Sequence, residues 1–222
     1  MSSSLPKICQ KVKKVPPLRI VVLISGSGTN LQSLIDACQS GQIDGEIVGV
    51  ISNKADAYGL QRAENHQIST IVLQHQSYSS RDEFDQALQQ AIDSFTPELV
   101  VLAGFMRILG KQIAQHYHGR MFNIHPSLLP KYPGLHTHQR ALEAGDLYHG
   151  CSIHFVTAEL DGGPLVAQNK FDIEPLDTEE SLKQKVQHLE HILYPQVVQL
   201  FCSQRLKLES QGATLDGELL QL

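Results

Sequence analysis

Residues Arg19 to Ala37 read R-I-V-V-L-I-S-G-S-G-T-N-L-Q-S-L-I-D-A. The first six are apolar on both faces after Arg19 and rich in β-branched side chains, the pattern of a parallel strand buried between two layers. Leu31, Leu34, Ile35 and Cys38 then recur at helical spacing. Between them, Ser25-Gly26-Ser27-Gly28-Thr29-Asn30 can turn tightly and leave backbone N–H groups free at the positive end of the helix, which suits an anion. A dinucleotide does not fit. Leu31 stands where the third glycine of that fingerprint belongs, and the next strand, Glu46 to Ile51, ends in Ser52-Asn53-Lys54 without the acid that would hold an adenosine ribose. The loop reads as a seat for a single phosphate, although such turns also occur without a ligand.

Beyond this unit the chain alternates. Helices are expected over 57–66 and 81–95, and strands over 69–73 and 98–103. Gly104 to Leu109 crosses from strand to helix, and Met121 to Ile124 starts another strand. A helix over 137–145, strands over 151–156 and 164–171, and a long helix over 178–202 follow. Asp177 is placed to cap that helix with Glu180 at N3. The end, 206–222, reads as a hairpin turning at Leu215-Asp216-Gly217-Glu218. Alternation predicts an α/β fold, Rossmann-like, with a mostly parallel central sheet and helices on both faces. Ligands of such sheets lie beyond the carboxyl ends of the strands. The 26–30 turn, the 104–109 crossover and the end of the 121–124 strand all fall on that edge.

Alternation places Asn123 and His125 on one side of their strand. Pro126 keeps His125 extended, and Pro130, Pro133 and Gly134 keep the following loop out of helix and sheet. An amide and an imidazole before a long stiff loop read as a site. Asp161, in Asp-Gly-Gly-Pro, reads equally as a turn residue. Arg81 reads as a solvated charge or an acid-binding group. Glu190 borders the apolar stripe of the last helix and could lean to the site or face water. His136 and His138 have no carboxylate or Cys company, so a metal is not expected.

The 222 residues carry a formal charge of −5, which gives no basic surface to argue for nucleic acid. No apolar run reaches the roughly 18 residues of a membrane span. Four scattered cysteines without C-x-x-C spacing suit reduced thiols in the cytoplasm. Residues 1–17, basic and ending in Pro-Pro, read as a disordered extension, and 18–222 as one domain.

The blocks S-G-x-G-T-N at 25–30, G-F-M-R-I-L at 104–109, N-I-H-P-S-L-L-P-K-Y-P-G-L-H-T-H at 123–138 and E-L-D-G-G-P at 159–164 resemble the phosphoribosylglycinamide formyltransferase family of de novo purine synthesis. The resemblance runs from about Arg19 to near the C-terminus. It implies 10-formyltetrahydrofolate as co-substrate and glycinamide ribonucleotide as acceptor, with no metal, in a monomer or homodimer. It places the ribonucleotide phosphate on Gly28, Thr29 and Asn30 and the ribose on Glu190. Folate falls on Arg81, Met106, Arg107, Ile108, Leu109, Asn123 and the run Thr157, Ala158, Glu159, Leu160, Asp161. The catalytic trio falls on Asn123, His125 and Asp161. The chemistry asks for such groups: donors for a tetrahedral oxyanion, and a histidine titrating near neutrality to assist proton transfer. A neighbouring Asp161 is expected to raise the His125 pKa. A formyltetrahydrofolate hydrolase would use the same trio, but by resemblance adds an N-terminal regulatory domain. A methionyl-tRNA formyltransferase adds a basic C-terminal one. A non-catalytic nucleotide-binding protein would use the phosphate loop alone.

Overall fold

A computed structural model of the chain describes residues 16–221. The expected extension over 1–17 falls outside the described residues as far as residue 15. The first strand, β1 (Leu18–Ile24), is an inner strand of a sheet whose other members are β2 (Gly45–Ser52), β3 (Thr70–Val72), β4 (Leu99–Leu102), β5 (Met121–His125), β6 (Tyr148–Phe155) and β7 (Leu165–Asp172). Their order is β3-β2-β1-β4-β5-β6-β7. The β3 to β5 part is parallel, while β5–β6 and β6–β7 are antiparallel.

Both faces of β1 are buried, as its continuous apolar run requires. Ile20, Val22 and Ile24 enter one core with residues of helices α1 (Thr29–Gln39), α2 (Tyr58–Asn65) and α6 (Glu179–Cys202). Val21 and Leu23 enter the other, with residues of α3 (Arg81–Asp93) and α4 (Lys111–His116). A further helix, α5 (Thr137–Glu143), follows the proline-rich loop.

From β1 the chain winds outward to β2 and β3, and from β4 it winds the other way to β5. The crevice between the carboxyl ends of β1 and β4 is therefore the switch point where ligands of such sheets bind. Three buried polar groups hold it open. Ser25 Oγ, just past β1, donates to Asn53 Oδ1 past β2 and accepts from Met106 N (2.7 Å) past β4. Tyr194 Oη of α6 shares its one hydrogen between the carbonyls of Leu102 (2.9 Å) and Phe122 (3.2 Å), anchoring α6 against β4 and β5.

Two local expectations need correction. The cap of α6 is Thr178, whose hydroxyl accepts from Ser181 N while Ser181 Oγ accepts from Thr178 N. Asp177 is not free to cap, because it accepts from Glu174 N, Ser181 Oγ and Lys185 Nζ. The C-terminal hairpin is a three-stranded antiparallel meander, β8 (Leu206–Glu209), β9 (Gly212–Leu215) and β10 (Glu218–Leu219). The turn at Asp216-Gly217 is the second of two. Gly212 at φ 137° follows the first, a position that favours glycine.

Candidate active site

The turn before α1 is shaped by one close approach. Gly28 caps α1 at φ 69°, and a Cβ there would lie 2.6 Å from Gly59 Cα in the first turn of α2. Gly59 N donates to Gly26 O (3.0 Å) and Arg62 Nε to Ser27 O (2.8 Å), so α2 supports the turn from behind. The first turn of α1 carries no acid, which leaves its positive end uncompensated for an anion. From the other side, Gln187 Nε2 of α6 donates to Thr29 Oγ1 (2.8 Å) and Asn30 Nδ2 donates to Glu190 Oε2 (2.8 Å). Glu190 therefore leans into the site. It is 8% exposed, and burial pushes its carboxyl up to about 7, against the hydrogen bond from Asn30.

At the end of β5, Asp161 meets both expected partners. His125 Nδ1 lies 3.4 Å from Asp161 Oδ2, and Asn123 Nδ2 donates to Asp161 Oδ1 at 3.4 Å. Gly134 N, from the proline-rich loop, donates to Asp161 Oδ2 at 2.9 Å. Asp161 sits at φ 50° in the connection between β6 and β7, where Gly163 passes so close to Phe155 O that no Cβ would fit. Asp161 thus has the turn geometry and also a side chain aimed back over β5. His125 Nε2 is 2.8 Å from the Tyr132 carbonyl, which can only accept, so this nitrogen carries a proton. Asp161 attracts a second proton to the ring, as expected, but burial is the larger influence and holds the His125 pKa below its ordinary value. Burial works to raise Asp161, but contacts with His154, Gly134 N and His125 outweigh it and keep the carboxyl ionised below the usual range.

The formyl transferase family model matches residues 18–198. This chain belongs to the formyl transferase family. It is 52% identical over 203 residues to the phosphoribosylglycinamide formyltransferase of Escherichia coli (strain K12), covering 91% of this chain and 96% of that one. It is 49% identical to the Haemophilus influenzae protein of the same name, covering 91% and 95%. Among solved structures, the phosphoribosylglycinamide formyltransferase of Coxiella burnetii in complex with CHES superposes with a TM-score of 0.89 at 55% identity, covering 92% of this chain and 96% of that one.

Within this formyl transferase fold the remaining candidates fall on three segments: 104–109 after β4, the start of α3, and the connection between β6 and β7. Met106 and Ile108 are exposed at 61% and 52% while Leu109 is buried, so the 104–109 segment presents two apolar side chains to solvent. Arg107 lies over the Phe84 ring (5.9 Å), and its Nε is buried without a partner among the described residues. Arg81 opens α3 with its Nε 3.9 Å from Asp85 Oδ2. Thr157 is half-buried, and Ala158, Glu159 and Leu160 are exposed in the connection that carries Asp161.

His154 escaped the sequence reading. It faces Asn123 directly in the β5–β6 register. Its Nδ1 lies 2.9 Å from Phe155 O and so carries a proton, while its Nε2 lies 3.2 Å from Asn123 Nδ2, from which the neutral ring accepts, and 3.7 Å from Asp161 Oδ1, to which the charged ring donates. A histidine inside the apolar strand C-S-I-H-F was the available signal. His138 joins no partner on its own helix but pairs with the buried His149 of β6, Nδ1 to Nε2 at 2.9 Å.

Proposed function

We propose that this chain transfers the formyl group of 10-formyltetrahydrofolate to the primary amine of glycinamide ribonucleotide, a step in de novo purine (IMP) synthesis. The observation that carries this reading is Asp161 held within 3.4 Å of both Asn123 and His125 in a chain 52% identical to a phosphoribosylglycinamide formyltransferase. The phosphate sits on Gly28, Thr29 and Asn30, and the ribose hydroxyls on Glu190. Folate lies along 104–109 between Arg81 and the 157–161 segment. The amine then attacks the formyl carbon, and the carbonyl oxygen becomes an oxyanion.

Asn123 has spent both amide hydrogens, on His154 and Asp161. The Asp161 contact, at 3.4 Å, is the longer and weaker of the two, so the arriving oxyanion takes that hydrogen. His125 supplies the second donor when its ring is protonated, a form that burial disfavours and Asp161 favours. The proton lost by the new ammonium reaches the departing folate nitrogen through His125 or a water held beside it. Both substrates are small and water-soluble, which fits a cytoplasmic enzyme.

Absorbance of the folate product decides the matter. Release of tetrahydrofolate from 10-formyltetrahydrofolate only when glycinamide ribonucleotide is present is the expected result. Release without it makes the chain a hydrolase, and ligand binding without release makes it a sensor.

A further inference from the structure

The phosphate loop and the sugar carboxylate stand on different helices, yet one side chain ties them. Asn30 is the second residue of α1 and belongs to the loop, while Glu190 lies 160 residues away on α6. Asn30 Nδ2 donates to Glu190 Oε2 at 2.8 Å. Asn30 Oδ1 is buried and has no partner among the described residues. A side chain whose acceptor is left unsatisfied in a buried place is held there by its donor. Gln187, three residues before Glu190, makes a parallel tie to Thr29, the residue before Asn30.

We propose that Asn30 is a positioning residue that couples recognition of the phosphate to recognition of the sugar hydroxyls, by holding the Glu190 carboxylate in its ionised, acceptor form. This rests on the proposed function, which puts the phosphate on the loop and the ribose on Glu190. The groups that face Glu190 are Asn30 from α1, Cys151 from β6 and Tyr194 on its own helix, all uncharged. Among the described residues no cation helps it ionise, and the Asn30 amide is the group that lowers its proton affinity against burial. Sugar hydroxyls donate, and donation favours the carboxylate over the carboxylic acid. Acceptor binding near neutral pH therefore releases a proton from Glu190. As pH falls below about 7, affinity for the ribonucleotide drops, approaching tenfold per pH unit.

Calorimetry of glycinamide ribonucleotide binding to the intact protein tests this, in two buffers of different ionisation enthalpy between pH 6 and 8.5. The wild type is expected to release a fraction of a proton near pH 7. In Asn30→Ala the release should move to higher pH, with affinity at pH 7 down on the order of tenfold and KM for the folate unchanged. In Glu190→Gln the share of the proton release and of the pH dependence centred near pH 7 should vanish, leaving what the ligand's own phosphate and amine contribute. A uniform loss of affinity in Asn30→Ala, with the wild-type pH profile and proton release retained, overturns the coupling. So does a Glu190→Gln profile that keeps the wild type's full component near pH 7, a result that serves alone if Asn30→Ala does not fold. Failure of the functional reading looks different, because the wild type itself then binds no glycinamide ribonucleotide.

Discussion

At the scale of single residues, the site is a set of groups that restrain one another. Asp161 is ionised and nearly out of water, facing the Asn123 amide, the His125 ring and the Gly134 amide. Replacing it by Asn keeps the shape and removes the charge that opposes burial at His125. The His125 pKa, already below its ordinary value, then falls further. Asp161→Asn is expected to lower kcat by about a hundredfold or more. The alkaline side of its pH–rate profile should move to lower pH, with little change in KM for the folate. An unchanged profile would return Asp161 to a turn-forming role. His154 meets Asn123 directly, Nε2 to Nδ2 at 3.2 Å. In His154→Ala one amide hydrogen loses its acceptor and the amide can rotate, so kcat is expected to fall roughly tenfold with KM nearly unchanged. His154→Gln, which can still accept, should recover part of the loss; equal kcat in both variants would show that the ring only fills space.

Elements set these residues in place through close backbone approaches. Gly28 combines a left-handed backbone with a 2.6 Å limit against Gly59 Cα, and neither helix can retreat without breaking the Gly59 N to Gly26 O bond. Gly28→Ala is therefore expected to cost at least about 2 kcal/mol, read as a lower Tm, together with a raised KM for the ribonucleotide. A neutral Tm would mean that the α1–α2 contact is looser than these distances. The glycine turn, the parallel strands and the stiff loop were legible in the sequence, because each follows from local rules of propensity and period. What was illegible is non-local. Gly59 looks like an ordinary helical glycine until α2 is laid against the turn, and His154 is silent until β6 pairs with β5. Asn30, legible as part of an anion loop, could not be connected to Glu190 across 160 residues. Capping was misplaced by one residue because Asp and Thr are both good N-caps, and only the surrounding donors decide between them.

Across the whole molecule, buried titratable groups set opposing pH responses. His149 is 1% exposed and burial lowers its pKa to about 4. The unfolded chain protonates it first, so stability is lost as pH falls from about 6.5 toward 4. His125, His138 and His191 are lowered as well and act in the same direction. Glu190 works against them. Its folded carboxyl is raised from 4.5 to about 7, so folding favours its protonated form. That contribution is complete below about 4.5 and is lost as pH rises through about 7, where a buried carboxylate must be carried at a cost on the order of 3 kcal/mol. If Glu190 is kept for the sugar, the protein tolerates this cost for function. Glu190→Gln keeps the shape without the charge, and its Tm should exceed that of the wild type by several degrees at pH 8. The difference should shrink as pH falls and be nearly gone at pH 5, where both side chains are neutral. With Glu190 no longer opposing the histidines, the variant should also gain stability more steeply than the wild type between pH 5 and 7. Equal Tm values at pH 8 would mean that Glu190 ionises without penalty in the folded protein, and that its carboxylate is better solvated than its place beneath Asn30 implies.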